Sequence, residues 1–250
     1  MPAKPEESRA AAAPRGPAPG RIIDPHVVPI VGTDAHLPAL GVERLDEAAL
    51  RARFAARPGV GDWTPEFSGD GRLIFEGTPA PAAVLVPLVR RPAGLAVMLT
   101  RRTEHLRDHA GQISFPGGRS EPADHGPVGT ALRETEEEVG LARRYIEIVG
   151  ELPRYITITG YDVTPVVALV TSPFVLRPDA SEVAEVFEVP LAFLMAPAHH
   201  QHHRFTWDGK PRQFLSMPWH GPGPDGREHE YFIWGATAAM LRNLYRFLAT

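Results

Sequence analysis

A helix that carries a run of acids needs a place for its charge, and that need constrains how this chain folds. Between Pro127 and Val139 only Gly129 interrupts a stretch of helix formers, and Gly140 closes it. The sequence therefore predicts a helix there. Inside it stands Arg133-Glu134-Thr135-Glu136-Glu137-Glu138. Residues three and four apart share a helix face, so Glu134, Glu137 and Glu138 point roughly together while Glu136 points elsewhere. Carboxylates converging at this range repel one another unless something cationic sits between them. Arg133 lies four residues before Glu137 and is placed to pair with it, which leaves Glu134 and Glu138 free for a metal. Hard oxygen donors with room for water and a phosphate suit Mg²⁺ or Mn²⁺. An acidic run is more often just a solvated face. A solvated face, however, does not require the glycine pair Gly117-Gly118 and the acid Asp124 ahead of it.

Taken whole, Phe115 to Leu141 (FPGGRSEPADHGPVGTALRETEEEVGL) resembles the Nudix box. That family hydrolyses nucleoside diphosphates linked to another moiety. Arg133 to Leu141 matches R-E-U-x-E-E-x-G-U, with Thr135 in place of a bulkier apolar residue. The generic box has a glutamate eight residues before the arginine; here that position is His125, and the nearest acid, Asp124, is nine before. Upstream, Leu99 to Gly118 (LTRRTEHLRDHAGQISFPGG) is similar to the segment preceding the box in coenzyme A pyrophosphatases of the family. Leu99-Thr100, Thr103, Arg107, Gly111 and Phe115-Pro116-Gly117-Gly118 fall at that segment's gaps, with Met98 for a leucine and Thr103 for serine or alanine. The subfamily also carries a longer loop with an aspartate, which suits Asp124. ELPRYITITGYDVTPVV and IWGATAAMLRNLYRFL are similar to the same enzymes, so the resemblance covers Leu45 to Leu248.

The resemblance implies an α/β fold, a Nudix-type α/β/α sandwich with a mixed central sheet. It implies metal-dependent hydrolysis of the pyrophosphate bond of coenzyme A or acyl-CoA. The products would be 4'-phosphopantetheine, or its acyl form, and adenosine 3',5'-bisphosphate. Residue by residue it implies Glu134, Glu137 and Glu138 as ligands of Mg²⁺ or Mn²⁺, Arg133 orienting Glu137, and Arg107 on the substrate phosphates. Nudix enzymes often take an acid from a distal loop to bind metal or activate water. Glu182 is the candidate, against the plainer reading of an exposed loop acid. Gly117 and Gly118 stand where the chain must turn sharply and let backbone amides approach an anion, or simply where it turns. Two rivals stand beside this reading. Another Nudix hydrolase, acting on ADP-ribose, dinucleotides or nucleoside triphosphates, needs only the box and not the upstream segment. A dead binding module with the same fold usually loses box acids, and here Glu134, Glu137 and Glu138 are all present.

The remaining sequence sets bounds. With 250 residues, 43% hydrophobic and 22% charged, the chain suffices for one core, expected over 37–250, behind an Ala/Pro-rich tail at 1–36 that is too poor in apolar side chains to order itself. A net charge of −4 offers no general attraction to nucleic acid or an anionic membrane. The partner expected is a small-molecule substrate, with a homodimer left open. There is no cysteine, hence no disulfide framework. No apolar run approaches the ~20 residues that span a bilayer, and a cytoplasmic protein is the expectation. Apolar periodicity predicts helices over Gly41–Arg57 and Gly235–Leu248. Strands are predicted at Ala82–Val89, Leu95–Thr100, Tyr145–Leu152, Val163–Val170, Phe214–Met217 and Tyr231–Trp234, with a further strand running out of Ser181–Pro190. Gly221–Gly226 reads as a flexible insert. His199, His200, His202 and His203 read as a solvated polar loop rather than a metal site. Tyr155 or Tyr161 is placed to stack on adenine or to pack. Arg101 and Arg102 carry no assigned role.

Overall fold

The structure, a computed structural model, describes residues 24–56, 63–69, 77–104, 111–207 and 209–250. Arg107, given a phosphate-binding role by resemblance, lies outside the described residues.

The predicted hairpin forms: β2 (Ala80–Arg91) turns at Gly94 into β3 (Gly94–Arg102), antiparallel, with Arg91 opposite Gly94. Strand β2 also pairs in parallel with β8 (Tyr161–Val170), which runs antiparallel to β6 (Ile146–Glu151). Short strands β4 (Ile113–Ser114), β5 (Gly117–Arg119) and β7 (Tyr155–Ile156) add to β3, β2 and β8, and β9 (Val183–Pro190) adds to β3. The result is a mixed sheet of eight strands. Its central strands read as unbroken apolar runs because both faces are covered. Ala83, Leu85, Val166 and Ala168 meet α2 (Gly126–Val139) on one face. Val86, Leu88, Val167 and Leu169 meet the opposite layer, which contains α4 (Gly235–Ala249) and α1 (Glu47–Ala55). Phe54 and Phe247 join those two helices, ring centroids 4.5 Å apart. This is the expected mixed sheet between helices. Helix α1 is shorter than predicted. A 3-10 turn occupies Val42–Arg44, and the helix begins only after Asp46, whose carboxylate accepts the Ala49 N–H at 2.7 Å as an N-cap. The single turn α3 (Leu191–Leu194) follows β9.

A second, antiparallel sheet was not anticipated. Strands β1 (Ile30–Thr33), β10 (Gln201–Trp207), β11 (Lys210–Pro222) and β12 (Glu228–Trp234) lie in that order. Three expectations change. Strand β1 falls inside the stretch 1–36 expected to be structureless. The supposed insert at Gly221–Gly226 is the tip of a hairpin whose strands run to Pro222 and from Glu228. The histidines are not a solvated loop, since His200 and His203 are buried. His203 stacks on Phe214, centroids 4.5 Å apart and planes within 3°. His200 donates from Nε2 to the Leu194 carbonyl at 2.8 Å, while its Nδ1 faces Arg242 Nη1 at 3.0 Å. Arg242 is itself buried and pairs with Asp34 at 3.1 Å and Glu66 at 2.8 Å. Tyr155 packs in the core and so is unavailable to stack on a ligand, whereas Tyr161 is exposed. No helix among the described residues is long and apolar enough to cross a membrane.

Candidate active site

Helix α2 is bounded by chemistry visible in its sequence. Its C-terminus stops at Gly140, left-handed at φ 69°, with the Gly140 N–H bonded to the Glu136 carbonyl as C-cap glycines do. Thr135, which replaces a bulkier apolar residue of the box, is fully buried against the sheet. Its hydroxyl is satisfied by donating to the Ala131 carbonyl at 2.6 Å. Glu136 points away, as expected, and pairs with Arg143 at 3.3 Å.

Arg133 makes more contacts than the sequence suggests. Nε donates to Asp124 Oδ1 at 2.9 Å, and Nη2 to Asp124 Oδ2 and the Arg119 carbonyl, both at 3.0 Å. Nη1 donates to Glu137 Oε2 at 2.9 Å, the expected pair, and also to Glu134 Oε1 at 3.0 Å. All five donors of the guanidinium fork are thereby used. Glu134 is therefore not free of Arg133, which corrects the expectation. Asp124 also accepts from the Glu121 N–H and the Thr130 hydroxyl, both at 2.9 Å. The Arg133 fork, followed by these bonds, holds its carboxyl well below the usual range. The inserted aspartate is thus a brace tying the preceding loop to the helix, and its lone pairs are engaged by protein donors.

Glu138 lies one turn after Glu134, with only 6% of its surface exposed. Burial pushes its carboxyl up to about 7, opposed by the Gly117 N–H and by Arg102, while Glu134 and Glu182 add to the rise. Burial likewise raises Glu134, against the pull of Arg133. Gly117 and Gly118 are strand residues rather than a bare turn. The Gly117 N–H donates to Glu138 Oε2 at 3.1 Å, at a φ of 154° that residues with a side chain rarely adopt. A Cβ on Gly118 would stand 2.7 Å from the Glu134 carboxyl carbon. Gly118 therefore lets the FPGG strand press against the acidic face, Gly117 lets it lie against Ala83 and Val84 of β2, and the Gly117 amide is spent on Glu138.

Glu182 arrives from the loop before β9. That loop is stitched to the helix end by Arg177 N–H to Val139 O at 2.8 Å and Asp179 N–H to Glu138 O at 2.9 Å. Its far end is tied to β3 by Thr103 N–H to Glu182 O at 2.9 Å. The carboxylate of Glu182 stands 3.9 Å from Arg102 Nη2, and Arg102 Nη1 stands 3.7 Å from Glu138 Oε1. Sequence reasoning passed over Arg102; its signal was an arginine at the end of a strand that leads directly into the FPGG segment.

The structure thus brings together Arg133, Glu134, Glu137, Glu138, Glu182, Gly117 and Gly118. Residues 79–207, just over half of the chain, match the Nudix domain family. The chain belongs to the Nudix family. Over 164 residues it is 41% identical to the uncharacterized Nudix hydrolase NudL of Escherichia coli (strain K12), a match covering 65% of this chain and 80% of that relative. The same figures hold for the NudL of Shigella boydii serotype 18. Among solved structures, the C. elegans Ap4A hydrolase binary complex aligns at TM-score 0.39 and 19% identity, covering 46% of this chain and 85% of that one. A likeness that loose says nothing about substrate. The Nudix fold, with its mixed sheet and few helices, is what the strand order above describes. Nudix hydrolases act on small nucleoside diphosphate-type substrates and generally use divalent metal ions.

The donor set fits such an ion in chemistry more than in pre-assembly. Four carboxylates (Glu134, Glu137, Glu138 and Glu182) stand near enough to bear on one another's charge, and hard oxygens suit Mg²⁺ or Mn²⁺. Yet no group of three acidic or histidine side chains among the described residues already stands in a ligating cluster. Two arginines occupy the space between them.

Proposed function

We propose that this Nudix hydrolase cleaves the pyrophosphate bond of coenzyme A or an acyl-CoA, releasing 4'-phosphopantetheine or its acyl form and adenosine 3',5'-bisphosphate. One observation supports it above others. The FPGG strand, which ends the segment similar to coenzyme A pyrophosphatases, donates its Gly117 amide to Glu138 of the box. The two motifs therefore act on the same point in space. Arg107, from the same segment, is assigned to the substrate phosphates, where its planar fork suits paired oxygens.

Glu134, Glu137 and Glu138 would hold Mg²⁺ or Mn²⁺, which when bound offsets diphosphate charge and acidifies water. Arg133 holds Glu137 and Glu134 beside each other, and the Gly117 amide fixes Glu138. Glu182, or one of the box glutamates, takes the proton from the attacking water as the new O–P bond forms. The bridging P–O bond breaks, and its electron pair leaves with the departing phosphate.

The test is a substrate panel with and without Mg²⁺: coenzyme A, its dephospho form, ADP-ribose, a dinucleotide and a nucleoside triphosphate. Coenzyme A should be hydrolysed fastest, with adenosine 3',5'-bisphosphate among the products. Faster turnover of ADP-ribose or a triphosphate would overturn the reading. Weaker turnover of the dephospho form is expected if an arginine reads the 3'-phosphate.

A further inference from the structure

Two arginines stand among these acids, and they are held in opposite ways. Arg133 has each of its five donors bonded at 2.9 to 3.0 Å. Arg102 lies 3.7 Å from Glu138 and 3.9 Å from Glu182, distances that carry charge attraction without a hydrogen bond. Its Nε is buried and finds no hydrogen-bond partner among the described residues. A buried donor left unmet is costly, so this seat suits a guanidinium poorly, and the charge around it offsets the cost. The backbone aims it there. Pairing of β3 with β9 shifts register between Arg101 and Arg102, so that Arg101 faces Glu185 and Arg102 faces Val183. Arg101 reaches the buried Glu185 on the far face at 2.8 Å. Arg102 is turned onto the face of Glu138. Irregularities of this kind re-aim side chains next to active sites.

We propose that Arg102 is a built-in counter-cation of these carboxylates. It stands between Glu138 and Glu182 and gives way when a divalent ion enters. This rests on the metal-binding reading above and deepens it. The exchange explains why four carboxylates that fit a metal in chemistry are not clustered in geometry. With the guanidinium between them, Glu138 and Glu182 are kept apart and their repulsion is offset. A divalent ion has twice the charge and accepts the carboxylate oxygens directly. The guanidinium must then leave, and its departure opposes metal binding. Arg102 is a positioning residue whose effect is on metal affinity.

The experiment is Mn²⁺ binding followed by calorimetry, without substrate, in wild type, Arg102→Met and Arg102→Lys. Arg102→Met removes the charge and keeps the length, and should bind Mn²⁺ about tenfold more tightly or better. Arg102→Lys keeps the charge and should stay near wild type. A merely structural arginine would weaken metal binding when removed, so Mn²⁺ affinity in Arg102→Met equal to or below wild type overturns the proposal. Failure of wild type to bind Mn²⁺ at all would overturn the metal-site reading itself, which separates the two. A measurement on wild type stands even if a variant folds poorly. The Arg102 Nε–H resonance, assigned by its loss in Arg102→Lys, should shift as Mg²⁺ is added. An unchanged resonance at saturating Mg²⁺ overturns the exchange.

Discussion

Glu138 is the side chain with most at stake. It is buried, its carboxyl is raised to about 7, and one of its oxygens already accepts the Gly117 amide. Below about 7 the metal-free protein carries Glu138 protonated, so a metal must displace that proton before it can bind. The raised value also means that Glu138 favours the metal-free fold at low pH and loses that contribution as pH rises through about 7. The rise in Tm caused by Mg²⁺ should accordingly be larger at pH 8 than at pH 5.5, as thermal melts in each buffer will show; equal shifts would remove Glu138 from the site. Glu138→Gln should abolish metal-dependent turnover while circular dichroism stays as in wild type. Gly118→Ala is the complementary case, because its new methyl lands against the Glu134 carboxyl. It should lower kcat/KM by about tenfold or more and reduce Tm, checked by initial rates and melting. The acids and the glycine pair were legible in the sequence because their spacing is local. Arg102 was not, since its partners Glu138 and Glu182 lie 36 and 80 positions along the chain.

At the level of elements, α2 and the hairpin of β2 and β3 follow from local pattern, with caps and turn glycines where the residues demand them. The loop ahead of α2 is different. Asp124 could be read as a displaced member of the box, but its contacts make it the brace that binds Arg133, Thr130 and the Glu121 amide at once. Side-chain geometry decided its role, and spacing could not. Asp124→Ala should loosen this loop from the helix: amide hydrogen exchange at Glu121 and along the first turns of α2 should accelerate, and turnover should fall with it. Unchanged exchange at Glu121 would show that the brace is dispensable. Strand β10 escaped prediction, and β11 was read only over Phe214–Met217, because the alternation is carried largely by His, Gln and Arg, with apolar residues such as Phe205 too few to reveal the period.

For the molecule as a whole, acid stability should be set in part by residues other than the box acids. His200 is fully buried, and its imidazole is held down to about 4 from 6.5 by burial, with Arg242 adding to the effect. The unfolded chain takes up that proton first, so the contribution is present above 6.5 and is lost as pH falls towards 4. The loss amounts to up to about 3 kcal/mol. Denaturant unfolding between pH 7 and pH 4 should show it, and His200→Gln should flatten that limb of the curve. A wild-type curve already flat there would contradict the neutral, buried imidazole. The loop bearing Glu182, meanwhile, has its main chain laced to the last carbonyls of α2 at one end and to Thr103 at the other. Those three bonds act as a ruler. Because Asp179 and Glu182 are themselves moored, a residue added or removed between Arg177 and Glu182 would break at least one of the three, so the length of this loop is tied to the place of the acid.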